Sequence, residues 1–478
     1  MSSDTLSSRF FASRTTKETI PLVVIPKNAE RAWFKTLPAR HATWLQSQGR
    51  DLNDAGLALL APNEQGAVEA VYFTPTAHAG DSWHLAHLPE VLPEGRFALA
   101  DASAKRAEAT QMAFGWAVAQ LPDQRFKSKP RDREDRQLVW PTHADREDVQ
   151  AWIEGVVLAR RMVNTPAENL GPADLSEAAR GLVNDFNGRM QEVIGEDLVN
   201  EGFPAAHAVG KGALPARAPR VMALRFNASK SSPTVALVGK GVVFDTGGLD
   251  IKPRTSMRHM KKDMGGAAVA LGVANTLLEL DANLNLLVVI GAVENAVSAG
   301  AFRPGDVLNT RKGLTVEVGD TDAEGRLVLA DCLTYAGEQE PDLIIDFATL
   351  TGAARVALGP DLPPVMARDS ALSQAIAEEG QRVGDPLWAM PMYMPYGQHL
   401  RSSIADMCNI TEGFPFAGSI TAGLFLERFV PKNIAWAHLD IFCWNPSSRP
   451  GRPAGGEAHA MRAVASFLKT WKPAKKRR

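Results

Sequence analysis

One stretch, VGKGVVFDTGGLDIKPRTSMRHMKKD (238–263), constrains the fold more than any other. It begins inside TVALVG (234–239), a short continuous apolar run ending in glycine. That pattern marks a strand of a parallel sheet covered on both faces. Asp263 is followed by MGGAAVALGVANTLLEL, an apolar-periodic helix whose small residues allow close packing. Lys240, Asp245 and Asp263 are therefore expected where strand gives way to loop and loop to helix. In open α/β sheets that edge is where ligands bind.

A second run, DTDAEGRLVLAD (320–331), adds Asp322, Glu324 and Arg326. Asp245, Asp263, Asp322 and Glu324 then face Lys240, Lys252 and Arg326 among apolar neighbours. Buried charges need partners, because an unpaired one is very costly. Two readings stay open at this level. Ion pairs alone can balance most of the set, as a salt-bridge network at a sheet edge. One or two hard or borderline divalent cations can balance it too.

These runs resemble the signatures of the leucine (cytosol) aminopeptidases. In that family K-G-x-x-F-D-S/T-G-G-x-x-x-K is followed by Met and Asp, then by N-T-D-A-E-G-R-L. Lys240, Phe244, Asp245, Thr246, Gly247, Gly248, Lys252, Met260, Asp263, Thr321, Asp322, Ala323, Glu324, Gly325, Arg326 and Leu327 fall in place without gaps within each run. Asp320 stands where the family usually has Asn, one position outside the charged set.

The resemblance implies a two-metal aminopeptidase acting on peptides with a free N-terminus. It implies that Lys240, Asp245, Asp263 and Glu324 hold one metal, and Asp245, Asp322 and Glu324 the other. Lys240 can ligate only as a neutral amine, which two nearby dications would favour. Two metals sharing a water make hydroxide available near neutral pH. The set contains no histidine, which favours zinc less exclusively than a His site would; manganese or magnesium can occupy at least one position. Lys252 is expected to stay charged and stabilise the oxyanion. Arg326 is expected to hold a bicarbonate ion that acts as general base. Met260, Thr349, Leu350 and Gly352 match the family's first side-chain pocket. WAHLDI (436–441) also matches, but Phe442 follows where the family often has alanine. A phenyl ring there fills space and argues against a simple leucine preference. The resemblance further implies a homohexamer.

Length and charge agree with an enzyme. The chain has 478 residues, 45% of them hydrophobic, and a net charge of -2. Nothing overall favours nucleic acid or an anionic membrane, and no apolar run approaches a membrane span of ~20 residues. Three cysteines, Cys332, Cys408 and Cys443, lie far apart. They form no C-x-x-C site, and a reducing cytoplasm fits.

The expected fold class is α/β in three parts: a small variable N-terminal α/β domain (1–145), a connecting helix (146–166) and a larger catalytic domain (167–478). In the first, LALLAP, AVEAVYF and RFALA read as strands and AEATQMAFGWAVAQL as a helix. His78, His84 and His87 form a loose loop cluster better read as surface or packed histidines than as a metal site. RFKSKPRDREDR (125–136) reads as a solvated connector. ADREDVQAWIEGVVLARRMVNTP carries helical spacing that Pro166 ends. Beyond it VMALRF, TVALVG, LNLLVVIGAV, TVEV, DLIIDFAT and IAWAHLDI alternate with helices, which implies a mostly parallel sheet with helices on both faces.

Two other classes compete. Some family members also bind DNA, and the basic end KTWKPAKKRR permits a DNA-binding or scaffold role; the intact charged set argues against lost catalysis. A two-metal phosphatase would want a Gly-rich phosphate cradle followed by Lys-Ser/Thr, which the chain lacks.

Overall fold

The strand Thr234–Asp245 sits near the middle of an eight-stranded sheet and runs through the site-forming region of the chain. It pairs in parallel with Leu343–Ala348 on one side and Asn285–Asn295 on the other. Ala435–Asp440 adds a fourth parallel strand beside Leu343–Ala348. The flanks are antiparallel: Arg220–Phe226 against Asn285–Asn295, Arg189–Ile194 against Arg220–Phe226, and Pro364–Ala367 against Ala435–Asp440. Trp388–Ala389 closes the far edge in parallel. The sheet is thus parallel through its four central strands, as their apolar runs require, and antiparallel at the joins on either side of them.

Helices cover both faces. Gly239 packs so closely on the helix Gly265–Glu279 that a Cβ there would lie 2.6 Å from Cα of Ala267. Gly291, on the neighbouring strand, meets Val328 of the helix Gly325–Glu338 in the same way, at 2.4 Å. Register pairs Gly291 with Lys240, so these two residues share a face and Gly239 lies on the other.

The computed structural model describes residues 8–29, 31–76, 81–101, 103–130 and 136–473. The chain divides into two compact units, Met1–Ile153 with Ser447–Ala454, and Glu154–Pro446 with Gly455–Arg478. The first holds a six-stranded sheet, parallel except for the hairpin Ala58–Pro62 with Val68–Phe73. Its helix Arg106–Val118 is buried along most of its length. His87 is buried, and burial holds its imidazole below the usual histidine pKa. His78 lies outside the described residues, as do Arg131–Asp135 of the charged connector. The helix Arg146–Asn164 runs across the division between the units.

Two expectations need correction. TVALVG is the first half of a longer strand, so Lys240 lies within it and only Asp245 at its end. KGVVFD extends the strand because neighbours on the sheet offer it backbone partners as far as Asn295. TVEV lies outside the large sheet; its strand, Thr315–Glu317, joins Val307–Asn309 and Met407–Cys408 in a separate three-stranded sheet.

A buried ion pair anchors the C-terminal part of the larger unit. Glu457 accepts hydrogen bonds from Arg160 Nε and Nη2 at 2.9 and 2.8 Å and from Asn445 Nδ2 at 2.8 Å. Burial alone would raise its pKa, but the charges of Arg160 and His459 outweigh it and hold the carboxyl at about 2. Because the folded value is depressed, the gain is present above the ordinary value of 4.5 and lost as pH falls toward 2. At ~1.4 kcal/mol per pK unit it amounts to ~3 kcal/mol. Glu457→Gln is expected to lose ~3–5 kcal/mol at pH 7, since the buried Arg160 loses the carboxylate that accepts its two hydrogen bonds. Its stability should then fall less steeply between pH 5 and pH 3 than that of the parent chain. Urea unfolding at both pH values checks this, and parallel slopes would refute it.

Candidate functional site

Six of the charged residues singled out in the sequence meet at the carboxyl ends of the central strands, and Arg326 lies on the same cavity. Asp245 ends its strand directly beside Asn295, the last residue of the neighbouring strand. Its Oδ1 accepts hydrogen bonds from Asn295 Nδ2 and from Gly247 N, both at 2.8 Å. The chain then turns through Gly247 and Gly248 at φ of 87° and 67°, a region that favours glycine. The turn brings Lys252 back so that its Nζ lies 2.9 Å from Asp245 Oδ2 and against Asp322 Oδ1.

Lys240 forms the second node. Its Nζ lies 2.8 Å from both Asp263 Oδ2 and Glu324 Oε1, and donates to the Thr349 carbonyl at 3.1 Å. Gly325 makes room for it: a Cβ at that position would sit 2.5 Å from Lys240 Cε. Glu324 immediately precedes the helix Gly325–Glu338, and Asp263 lies in a 3₁₀ turn, Met260–Met264, that leads into Gly265–Glu279. Thr349 Oγ1 donates to Asp263 Oδ1 at 2.7 Å, which fixes that carboxylate.

The electrostatics show a shortage of positive charge. Burial works against the Lys240 ammonium, but Asp263, Glu324 and Asp245 outweigh it and raise its pKa above the lysine range. The same balance raises Lys252, led by Asp245. With only these carboxylates as neighbours both lysines hold their protons; a dication beside Lys240 would displace its proton, as ligation requires. Four carboxylates still face two ammonium groups, so the deficit falls on the acids. Burial, then the charge of Asp245, pushes Asp322 up to about 7 and Glu324 well above the carboxylate range.

That arrangement fits divalent cations. Asp245, Asp322 and Glu324 each offer an oxygen within 4.8 Å of the others. Asp263 Oδ2, Asp322 Oδ1 and Glu324 Oε1 are buried acceptors that sit at ion-pair distance from lysines without hydrogen-bond geometry. Among the described residues no other group of His, Cys, Asp or Glu converges in this way. All-oxygen donors with one amine suit hard or borderline ions.

A cavity of about 760 Å³ opens over the cluster. Met260, Thr349, Leu350, Gly352 and Phe442, the expected pocket residues, all line it, and so does Arg326. Arg326 is buried and donates through Nη1 to the Asn409 carbonyl at 2.6 Å. Its Nε is a buried donor with no partner among the described residues.

Sequence reasoning missed the residues that hold the loops. Asn409 accepts from Gly319 N at 2.7 Å and donates to the Asp320 carbonyl at 2.7 Å. Asp440 accepts from Leu350 N, Thr351 N and Thr351 Oγ1 at 3.1, 3.0 and 2.6 Å, and so shapes the ATLTGA turn. Asp250 ties to Thr321 through 2.8 and 2.9 Å hydrogen bonds. Asn295 and Asp440 each follow an apolar strand run, a signal open to reading; Asn409 carries none. Lys262 was also missed: it is 6% exposed, lines the cavity, and burial lowers its pKa.

Comparison with known proteins decides the family. The model of the "Cytosol aminopeptidase family, catalytic domain" matches residues 157–465, and that of the "M17 aminopeptidase, N-terminal domain" matches 20–141. The chain belongs to the cytosol aminopeptidase family. Family membership makes it a hydrolase that removes N-terminal residues from peptides in a metal-dependent reaction. A probable cytosol aminopeptidase of Roseiflexus castenholzii is 40% identical over 356 residues, 72% of each chain. One from Syntrophotalea carbinolica is 43% identical over 317 residues, 66% of this chain and 63% of that protein. The crystal structure of cytosol aminopeptidase from Coxiella burnetii superposes with a TM-score of 0.89 at 39% identity, covering 96% of this chain and 98% of that one. The bottromycin maturation enzyme BotP in complex with Mn follows with a TM-score of 0.83 at 29% identity, covering 95% and 99%. No helix among the described residues is long and apolar enough to cross a membrane.

Proposed function

We propose that the cluster around Lys240 and Asp245 holds two divalent cations and is the catalytic centre for removing the N-terminal residue of a peptide. The observation that carries this is the convergence of Asp245, Asp322 and Glu324 within 4.8 Å beside Lys240 and Asp263. Lys240, Asp245, Asp263 and Glu324 would hold one cation, and Asp245, Asp322 and Glu324 the other. When bound, such a pair supplies Lewis acidity at the scissile carbonyl and acidifies water toward neutral pH.

The chain's own groups do the rest. Lys252, firmly cationic at the edge of the cavity, donates to the oxyanion that develops on the carbonyl. Thr349 and Asn295 hold Asp263 and Asp245 in place, which keeps the carboxylates from rotating as charge moves. Arg326, which lines the cavity and has a buried donor without a partner among the described residues, would hold a bicarbonate ion, and such an ion would supply a general base. Met260, Thr349, Leu350, Gly352 and Phe442 receive the side chain of the N-terminal residue.

Zinc or manganese fits the donor set, with magnesium suited to one position. The solved complex of BotP with Mn supports manganese. The working assembly is a homohexamer, for which a light-scattering mass of six chains is the check. Three free, buried cysteines support a reducing cytoplasm. The basic residues Lys475–Arg478, on which a DNA-binding or scaffold role would rest, lie outside the described residues.

The deciding experiment compares leucine p-nitroanilide with its N-acetyl form on manganese-loaded protein. Hydrolysis of the first alone is expected, because the free amine is recognised. Equal rates on both would sink the proposal.

A further inference from the structure

Two cations occupy the side-chain pocket in a way the reaction itself does not use. Lys262 Nζ lies 5.1 Å from the centroid of the Phe442 ring, and the Arg355 guanidinium carbon lies 5.0 Å from the same centroid. All three side chains line the cavity, beside Met260 and Gly352. Lys262 is only 6% exposed. The four carboxylates of the cluster are paired with Lys240 and Lys252, and among the described residues neither Lys262 nor Arg355 takes part in an ion pair.

A cation over an aromatic face is attracted by the ring quadrupole, but less strongly than by a carboxylate that accepts charge-assisted hydrogen bonds. Lys262, attracted only by the ring and by the charge of Asp263, which already pairs with Lys240, is therefore short of an anion. An aliphatic side chain entering here would cover both charges without supplying one. A side-chain carboxylate would meet both at once: the buried Lys262, where desolvation strengthens the attraction, and Arg355 at the exposed rim.

We infer that this pocket takes the carboxylate of an acidic N-terminal residue, so that the enzyme removes glutamate or aspartate. Lys262 and Arg355 are the specificity-determining residues, and Phe442 is the wall that holds them. The inference rests on the aminopeptidase reading of the same site.

The test uses the manganese-loaded full chain with Glu-, Asp-, Leu- and Lys-p-nitroanilide. The quantity read is the ratio of kcat/KM for the glutamyl over the leucyl substrate. In the parent chain the ratio is expected to exceed one. In Lys262→Met it is expected to fall by about tenfold or more, since a buried hydrogen-bonding site left unmatched discriminates strongly. Arg355→Gln, at an exposed helix position that tolerates change, is expected to lower it by about threefold or more. Calorimetric binding of free L-glutamate against L-leucine is expected to follow the same order, and metal content is measured alongside. A ratio unchanged within about twofold in both variants, or a parent chain that prefers leucine by about tenfold, would overturn the inference. If Lys262→Met loses its metals, Arg355→Gln alone decides. Failure of the parent chain on every substrate would instead refute the aminopeptidase reading.

Discussion

Glu324→Ala and Asp263→Ala are each expected to lose bound metal as well as rate. Each removes a carboxylate that lies 2.8 Å from Lys240 Nζ at almost no solvent exposure. Glu324 is also within 4.8 Å of two further carboxylates, so it serves both proposed cation positions. Cation catalysis supplies several kcal/mol of transition-state stabilisation, which is about a thousandfold or more in kcat/KM. Exhaustive chelation of the parent chain is expected to reproduce that loss, and added Mn²⁺ or Zn²⁺ to reverse it. Metal analysis by plasma emission, paired with rates on leucine p-nitroanilide, measures both effects. A variant that keeps two metals per chain, or a chelated protein with its original rate, would show that these carboxylates do not hold the metals.

Lys252→Ala is expected to behave differently. Its ammonium lies between Asp245 and Asp322 but is not itself a proposed ligand. Removing it takes away a donor to the oxyanion, which costs about 100- to 1,000-fold in kcat. Metal content and KM are expected to change little, because the interaction is made in the transition state rather than with bound substrate. Lys252→Arg keeps the charge and is expected to recover part of the rate. If Lys252→Ala loses its metals instead, the lysine is a scaffold for the carboxylates and not an oxyanion donor.

The chemistry was legible in the sequence because it is dense and local. Lys240, Asp245, Lys252 and Asp263 lie within one run and Asp322, Glu324 and Arg326 within another, so spacing alone brings them to attention. The central strands were legible for the same reason: Val235–Val238, Leu286–Ile290 and Leu343–Ile345 are unbroken apolar runs buried on both faces. Edge strands were not. Arg189–Ile194, RMQEVI, is polar and half-exposed, and takes its strand form from Arg220–Phe226 beside it. The same holds for Asn409, whose role depends on loops 89 and 90 residues away in sequence. Nothing local to such a residue marks it. The Lys262 ammonium was overlooked because a lysine beside Asp263 reads as a solvated charge, and only packing reveals that it is covered.

The turn Thr349–Gly352 has one more consequence, and it concerns where the chain can be cut. Every proposed metal ligand lies between Lys240 and Glu324. Yet Asp263 is held by Thr349, 86 residues further on, and the turn carrying Thr349 is held by Asp440, about as far again. Arg326 in turn leans on the Asn409 carbonyl. A truncated chain ending just after the last ligand would contain the whole donor set and none of what aims it. The smallest portable version of this centre therefore extends at least through Asp440, more than a hundred residues past the final atom that could touch a metal.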